Sequence, residues 1–175
     1  VGREVKFRQK SQMYEYGTDR PIAGHIKELT FSTGGIEIVQ QVTWLEEVEV
    51  DNMKLAMLPI ARSLNDGTQI TDRLVMDDSE RGYDVSRSDR TLSVEGRDVR
   101  KVCIWGRESG LFAEVEVDYE PWMPENRFFC SMYTPQDGYN KLYFDYCGNR
   151  VVSRGEVWKS EARYRLGIFE KQERR

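Results

Sequence analysis

Apolar and polar residues alternate along most of this chain, and the alternation is clearest between residues 98 and 120. Val102 and Ile104 mark one arm, Gly106-Arg107-Glu108-Ser109-Gly110 supplies a turn, and Leu111, Ala113, Val115, Val117 and Tyr119 mark a second arm. Glu114, Glu116, Asp118 and Glu120 fall between the apolar positions of that second arm. Successive side chains on a strand point to opposite faces, so the pattern predicts a β-hairpin with one apolar and one acidic face.

The same period recurs elsewhere. Residues 1–24 are polar, with Tyr14 and Tyr16 as anchors, and read as an N-terminal arm or an edge strand. Ile36, Ile38, Val42, Trp44, Val48 and Val50 share one parity. A single strand over those fifteen residues would span about 50 Å, so a bend, bulge or turn is expected at Gln40-Gln41 or Glu46-Glu47. Met53, Met57, Ile60, Ala61 and Leu64 fit a short helix, but Pro59 argues against a continuous one. Two short pieces, or a strand followed by a turn, fit equally well. Asn65-Asp66-Gly67 is a turn signal. Further strands are expected at 70–76, around 83–94, and at 128–133, 139–147, 151–158 and 161–169. The last of these puts Ala162, Tyr164, Leu166 and Ile168 on one face and Arg163 and Arg165 on the other. Residues 171–175 form a charged tail.

No composition shift marks a second domain, so residues 25–170 read as one. Eight to ten short strands with frequent turns predict an all-β antiparallel meander. Closure removes exposed edges, so the first expectation is a closed barrel, an architecture similar to that of the lipocalins. An antiparallel β-sandwich is the alternative.

Composition narrows the function classes more than it names one. Of 175 residues, 39% are hydrophobic and 32% charged, enough for one core and a solvated outside. The net charge of −4 argues against nonspecific binding to phosphates. Arg150, Arg154, Lys159, Arg163 and Arg165 interleave with Trp158 and Tyr164, but Glu156, Glu161, Glu170 and Glu173 dilute that charge. A nucleic-acid partner is therefore not expected. No run approaches the roughly 18 apolar residues of a membrane span. The polar start at Val1, with no Met, reads as a processed or truncated chain rather than a signal peptide. Cys103, Cys130 and Cys147 are too widely spaced for a zinc site or a disulfide framework. They favour a reducing compartment, intracellular or organellar, with Cys103 a buried structural thiol.

Candidate chemistry is sparse. The single histidine, His25, has no nucleophile motif beside it and reads as a surface or packing residue. Carboxylates crowd at Glu46, Glu47, Glu49 and Asp51, at Asp77, Asp78 and Glu80, and at Glu114 to Glu120. Alternating with apolar residues, they read as solvated faces; a pair across a cleft would be the catalytic alternative. No metal or cofactor is expected. Four Trp, nine Tyr and seven Phe supply large rings. A barrel of about eight strands has room for one small hydrophobic or chromophore ligand, with Trp44 among the rings that would line it. Arg163 and Arg165 would meet an anion if they pointed inward; the ordinary arrangement turns them outward and Tyr164 inward. Trp122 and Met123, flanked by Pro121 and Pro124, are the candidate exposed anchor for a protein partner.

These features lead to a noncatalytic β module, either an accessory subunit of a larger assembly or a small-ligand binder. The first alternative is a barrel enzyme, a lyase, isomerase or hydrolase using carboxylate and arginine chemistry. A viral or organellar structural subunit is the second alternative.

Overall fold

The structure is a computed structural model that describes residues 3–64, 67–77, 82–86, 93–119, 126–132 and 138–169. Its elements among these residues are strands alone. In chain order they are β1 (Val5–Tyr14), β2 (Pro21–Ser32), β3 (Gly35–Trp44), β4 (Val48–Ala61), β5 (Arg73–Met76) and β6 (Tyr83–Asp84). There follow β7 (Ser93–Arg97), β8 (Lys101–Trp105), β9 (Leu111–Tyr119), β10 (Asn126–Met132), β11 (Tyr139–Val152) and β12 (Val157–Ile168). No helix is long and apolar enough to cross a membrane among the described residues.

Two antiparallel sheets result. The larger runs β1-β2-β3-β12-β9-β8-β5-β6 and the smaller β4-β11-β10-β7. Both are open, so the expected barrel is not formed. The meander is also wrong: β12 inserts between β3 and β9, which are far apart in the chain. Alternation of side chains is the same in a barrel strand and a sandwich strand, so the pattern could not choose between them.

The long parity run from Ile36 to Val50 breaks at residues 45–47, where the chain passes from the larger sheet to the smaller. Trp44 anchors this crossing. Its backbone N–H donates to the Glu156 carbonyl at 2.9 Å, and its carbonyl accepts from Gly155 N–H at 2.8 Å. Residues 53–61 continue as strand, not helix. Pro59 is tolerated because β4 is an edge of its sheet, where a missing N–H breaks no ladder on the open side.

The core lies between the sheets. Ala23, Val42, Val102, Ile104, Ala113, Val115, Val117 and Ala162 from the larger sheet meet Val50, Leu55, Leu142, Phe144 and Val152 from the smaller. Trp158 is 1% exposed and packs edge-on against Trp44 at 5.3 Å and Tyr146 at 5.1 Å. Each fully buried side chain of this size contributes about 1.5–3 kcal/mol of transfer free energy. Gln40 Nε2 donates to the Leu55 carbonyl at 2.8 Å, a polar tie from β3 to β4. Filled by rings in this way, the interior is a packed core.

Candidate functional site

The larger sheet has a second face, pointing away from the core, and it carries the charge. Ile38, Val115, Val117, Ala162 and Tyr164 turn towards the core cluster, so strand alternation turns Glu37, Glu114, Glu116, Glu161, Arg163 and Arg165 outward. Register aligns them. Arg163 of β12 lies between Glu37 of β3 and Glu116 of β9, and Arg165 lies opposite Glu114.

The charges pair closely. Arg165 Nε donates to Glu114 Oε1 at 2.8 Å, and its Nη2 donates to the same oxygen. Lys101 Nζ is 3.2 Å from Glu114 Oε2. Glu114 is only 9% exposed, and two cations offset the cost of burying it. In the acidic row of β9, Glu116 and Asp118 are exposed, as the sequence suggests, but Glu114 is buried in ion pairs. Arg163 reaches Glu37 at 3.4 Å with Nε and Glu161 with Nη2. Burial raises the Glu161 pKa, and a hydrogen bond to Glu37 raises it further against the pull of Arg163. Glu161 of β12 and Glu37 of β3 thus meet each other and Arg163 at one point of the face. The charge of Glu161, and then a hydrogen bond to Glu37, raises the Arg163 pKa in turn.

A cleft of about 340 Å³ opens over this row, lined by Glu37, Glu114, Glu116, Arg163 and Arg165, with Gly34 and Gly35 in its wall. Gly35 has φ +130°, and a Cβ there would lie 2.1 Å from the Tyr164 carbonyl oxygen. Glycine alone lets the start of β3 approach β12 this closely. A second, shallower depression on the same face includes Val39, Arg100, Tyr119 and Glu161. Arg100 stacks on the Tyr119 ring at 4.1 Å and donates to Asp118 at 2.9 Å.

Of the residues singled out from the sequence, Arg163 and Arg165 are brought together here. They point outward, with Tyr164 in the core. Trp44 is 4% exposed and belongs to the core, so it lines no ligand cavity. Trp122 and Met123 lie outside the described residues. His25 is half-buried beside β1, and burial followed by the Lys27 charge lowers its pKa, with a Gln40 hydrogen bond opposing. Cys103 is a half-buried thiol on the outer face, not in the core, and burial pushes it up to about 11, with Glu114 adding. Glu46 ion-pairs Arg20 at 3.1 Å. Asp77 accepts from the backbone N–H groups of Arg100 and Lys101 at 2.9 and 3.0 Å. Among the described residues no group of three or more His, Cys, Asp or Glu is placed to hold a metal ion. Glu37, Glu161 and Gly35 were missed. The one local signal for them is the adjacent Gly34-Gly35 pair.

No protein-family model matches the chain, and no curated protein matches it in sequence. Its fold does match solved structures. The Slr1438 protein of Synechocystis sp. PCC 6803 superposes with a TM-score of 0.55 at 8% identity, covering 95% of this chain and 62% of that one. A galactose mutarotase-like protein from Clostridium acetobutylicum gives 0.51 at 7% identity, with coverages of 96% and 63%. A candidate aldose 1-epimerase from Klebsiella pneumoniae gives 0.51 at 8% identity, with coverages of 93% and 50%. The chain thus spans between half and two thirds of the length of these structures. The expected binding module with its ligand in a barrel mouth is overturned: among the described residues both sheets are open, and the fold is shared with mutarotase-like and epimerase-like structures.

Proposed function

We propose that the outer face of the larger sheet is a sugar-directed acid–base site of the isomerase type, acting on the anomeric centre of an aldose. The observation that carries this reading is the pair of carboxyl groupings on either side of Arg163. Glu37 of β3 stands on one side and Glu116 of β9 on the other, both lining the open cleft, and Glu161 backs Glu37 with its own pKa raised by burial. Two strand spacings separate Glu37 from Glu116, about 10 Å between backbones, which leaves room for one sugar ring between their side chains.

Epimerisation at C1 needs a base and an acid acting together. Glu116 takes the proton of the anomeric hydroxyl while the Glu37–Glu161 pair gives a proton to the ring oxygen. The C1–O5 bond breaks as C1=O1 forms. Rotation about C1–C2 presents the other carbonyl face, and the same two proton transfers in reverse close the ring. Nothing is oxidised, and no atom is gained or lost. Arg163 stabilises the oxygen that gains charge in each direction.

Polarimetry tests this. Freshly dissolved α-glucose and α-galactose should reach rotational equilibrium faster with the protein than in buffer. Glu116→Gln and Glu161→Gln should each lower kcat/KM by about a hundredfold or more, the usual scale of one acid–base group. Mutarotation at the buffer rate with both sugars, or full activity in both variants, would sink the proposal.

A further inference from the structure

Beyond the charged row, the same face carries a compact aromatic group. Phe112 precedes Glu114 as the neighbouring outward position on β9, and it lies opposite Trp105 of β8 and Gly167 of β12. Phe169, just past β12, stacks on Phe112 with ring centres 4.5 Å apart and planes 22° apart. Trp105 meets Phe169 edge-on at 6.4 Å. Gly167 makes the arrangement fit, because a Cβ there would stand 2.8 Å from the Phe112 ring. The Phe169 N–H donates to the Gly110 carbonyl at 2.8 Å, which fixes its backbone. Yet Phe169 stays 45% exposed. The group is tied in place and still presents ring surface to solvent.

Its position matters. Consecutive outward positions on a strand are about 7 Å apart, so the rings begin one sugar-length from Glu114 and Arg165. Sugar rings have an apolar face of C–H groups that lies well on an aromatic ring. The cleft is lined by four carboxylates, Glu4, Glu37, Glu114 and Glu116, against the guanidiniums of Arg163 and Arg165. That balance disfavours an anionic sugar.

We infer that Trp105, Phe112 and Phe169 form a further sugar subsite, so that the substrate is the reducing end of a neutral oligosaccharide rather than a free monosaccharide. This rests on the epimerase reading for the ring held over Arg163. The aromatic rings lie two outward positions from Arg163, about 14 Å, so the second sugar ring lies over Arg165 and Glu114 and the third reaches the exposed surface of Phe169 and Trp105.

The test measures binding and turnover separately on the intact chain, using glucose, maltose and maltotriose as probes. Isothermal titration should show maltotriose binding about tenfold tighter than glucose, the scale of one stacked aromatic partner. Maltose should gain little over glucose. In Phe169→Ser the maltotriose preference should fall to within about twofold, the residual expected when the stacking partner is gone. Leu166→Ser is a control on the opposite face, 65% exposed, and should keep the preference. Trp105→Ala gives an independent second variant should Phe169→Ser fold poorly. If maltotriose shows its preference and loses it in Phe169→Ser while no sugar is turned over, the subsite stands and the epimerase chemistry fails. If glucose is turned over but maltotriose binds no tighter, the subsite is overturned and the chemistry stands. If the preference survives both aromatic variants, the subsite is overturned. If no probe binds, both are overturned.

Discussion

Gly35 offers the sharpest link between fold and cleft. Its φ of +130° lies in a region that only glycine occupies at low cost, and its missing Cβ would sit 2.1 Å from the Tyr164 carbonyl oxygen. In Gly35→Ala the backbone conformation alone costs about 1–3 kcal/mol. The neighbouring atom is backbone, so β12 must shift, which weakens the pairing of Ile36 with Tyr164 and adds about 1 kcal/mol per hydrogen bond lost. The total is about 2–4 kcal/mol, and a domain of this size loses roughly 2–4 °C of Tm per kcal/mol. A fall of roughly 10 °C follows. Gly34→Ala is the matched control. Its φ is outside the left-handed region and a Cβ there meets only Ser32 Oγ, at 3.5 Å. It should hold or gain up to about 1 kcal/mol through the unfolded chain. Thermal melts followed by far-UV circular dichroism compare the pair. If Gly35→Ala melted within 2 °C or so of the native chain, or Gly34→Ala fell as far, the close-approach argument would be refuted.

Three other outcomes follow. Phe144 is fully buried at 0% exposure, so Phe144→Ala should cost about 3–5 kcal/mol in urea unfolding; a loss under about 1 kcal/mol would mean the sheets do not pack as described. Glu161 has a folded pKa raised above its ordinary 4.5. Its contribution is full below that value and is lost as pH rises above it, so Glu161→Gln should flatten the fall in stability from pH 4.5 upward. An unchanged pH profile would contradict the raised pKa. Glu156 behaves oppositely. Burial alone would raise its pKa, but the Trp158 indole N–H at 2.8 Å, the Ser153 N–H and Arg150 lower it below 4.5. Its contribution is present above pH 4.5 and lost in acid, and Glu156→Gln should remove that part of the acid sensitivity.

The β8–β9 hairpin was legible because its signal is local. Val102 to Tyr119 alternates with period two, and a five-residue turn stands between its arms. β4 was ambiguous because Met53, Met57 and Ile60 also satisfy the helical period, and the edge position that excuses Pro59 is a fact of sheet order. The site was less legible still. Arg163 meets Glu37 across 126 positions of sequence, and no local period encodes which strand lies beside which. The carboxylates were visible as letters. Their partners became visible only with the register of β12, which also sets Glu114 in ion pairs while Glu116 and Asp118 stay exposed.

The placement of β12 has a consequence for biogenesis. On one side of it lie β1, β2 and β3, on the other β9, β8, β5 and β6, and it follows all seven in the chain. During synthesis the two groups of strands emerge with an unpaired edge each, at β3 and β9, and have no direct ladder to join them. Late arrival of a strand bridging such distant partners makes for slow, high-contact-order assembly, with edges open to wrong pairing in the interval. The strand that closes the gap also brings Glu161, Arg163 and Arg165. A chain stalled before residue 157 would therefore be recognisable to quality control by its open edges, and it would lack the site as well.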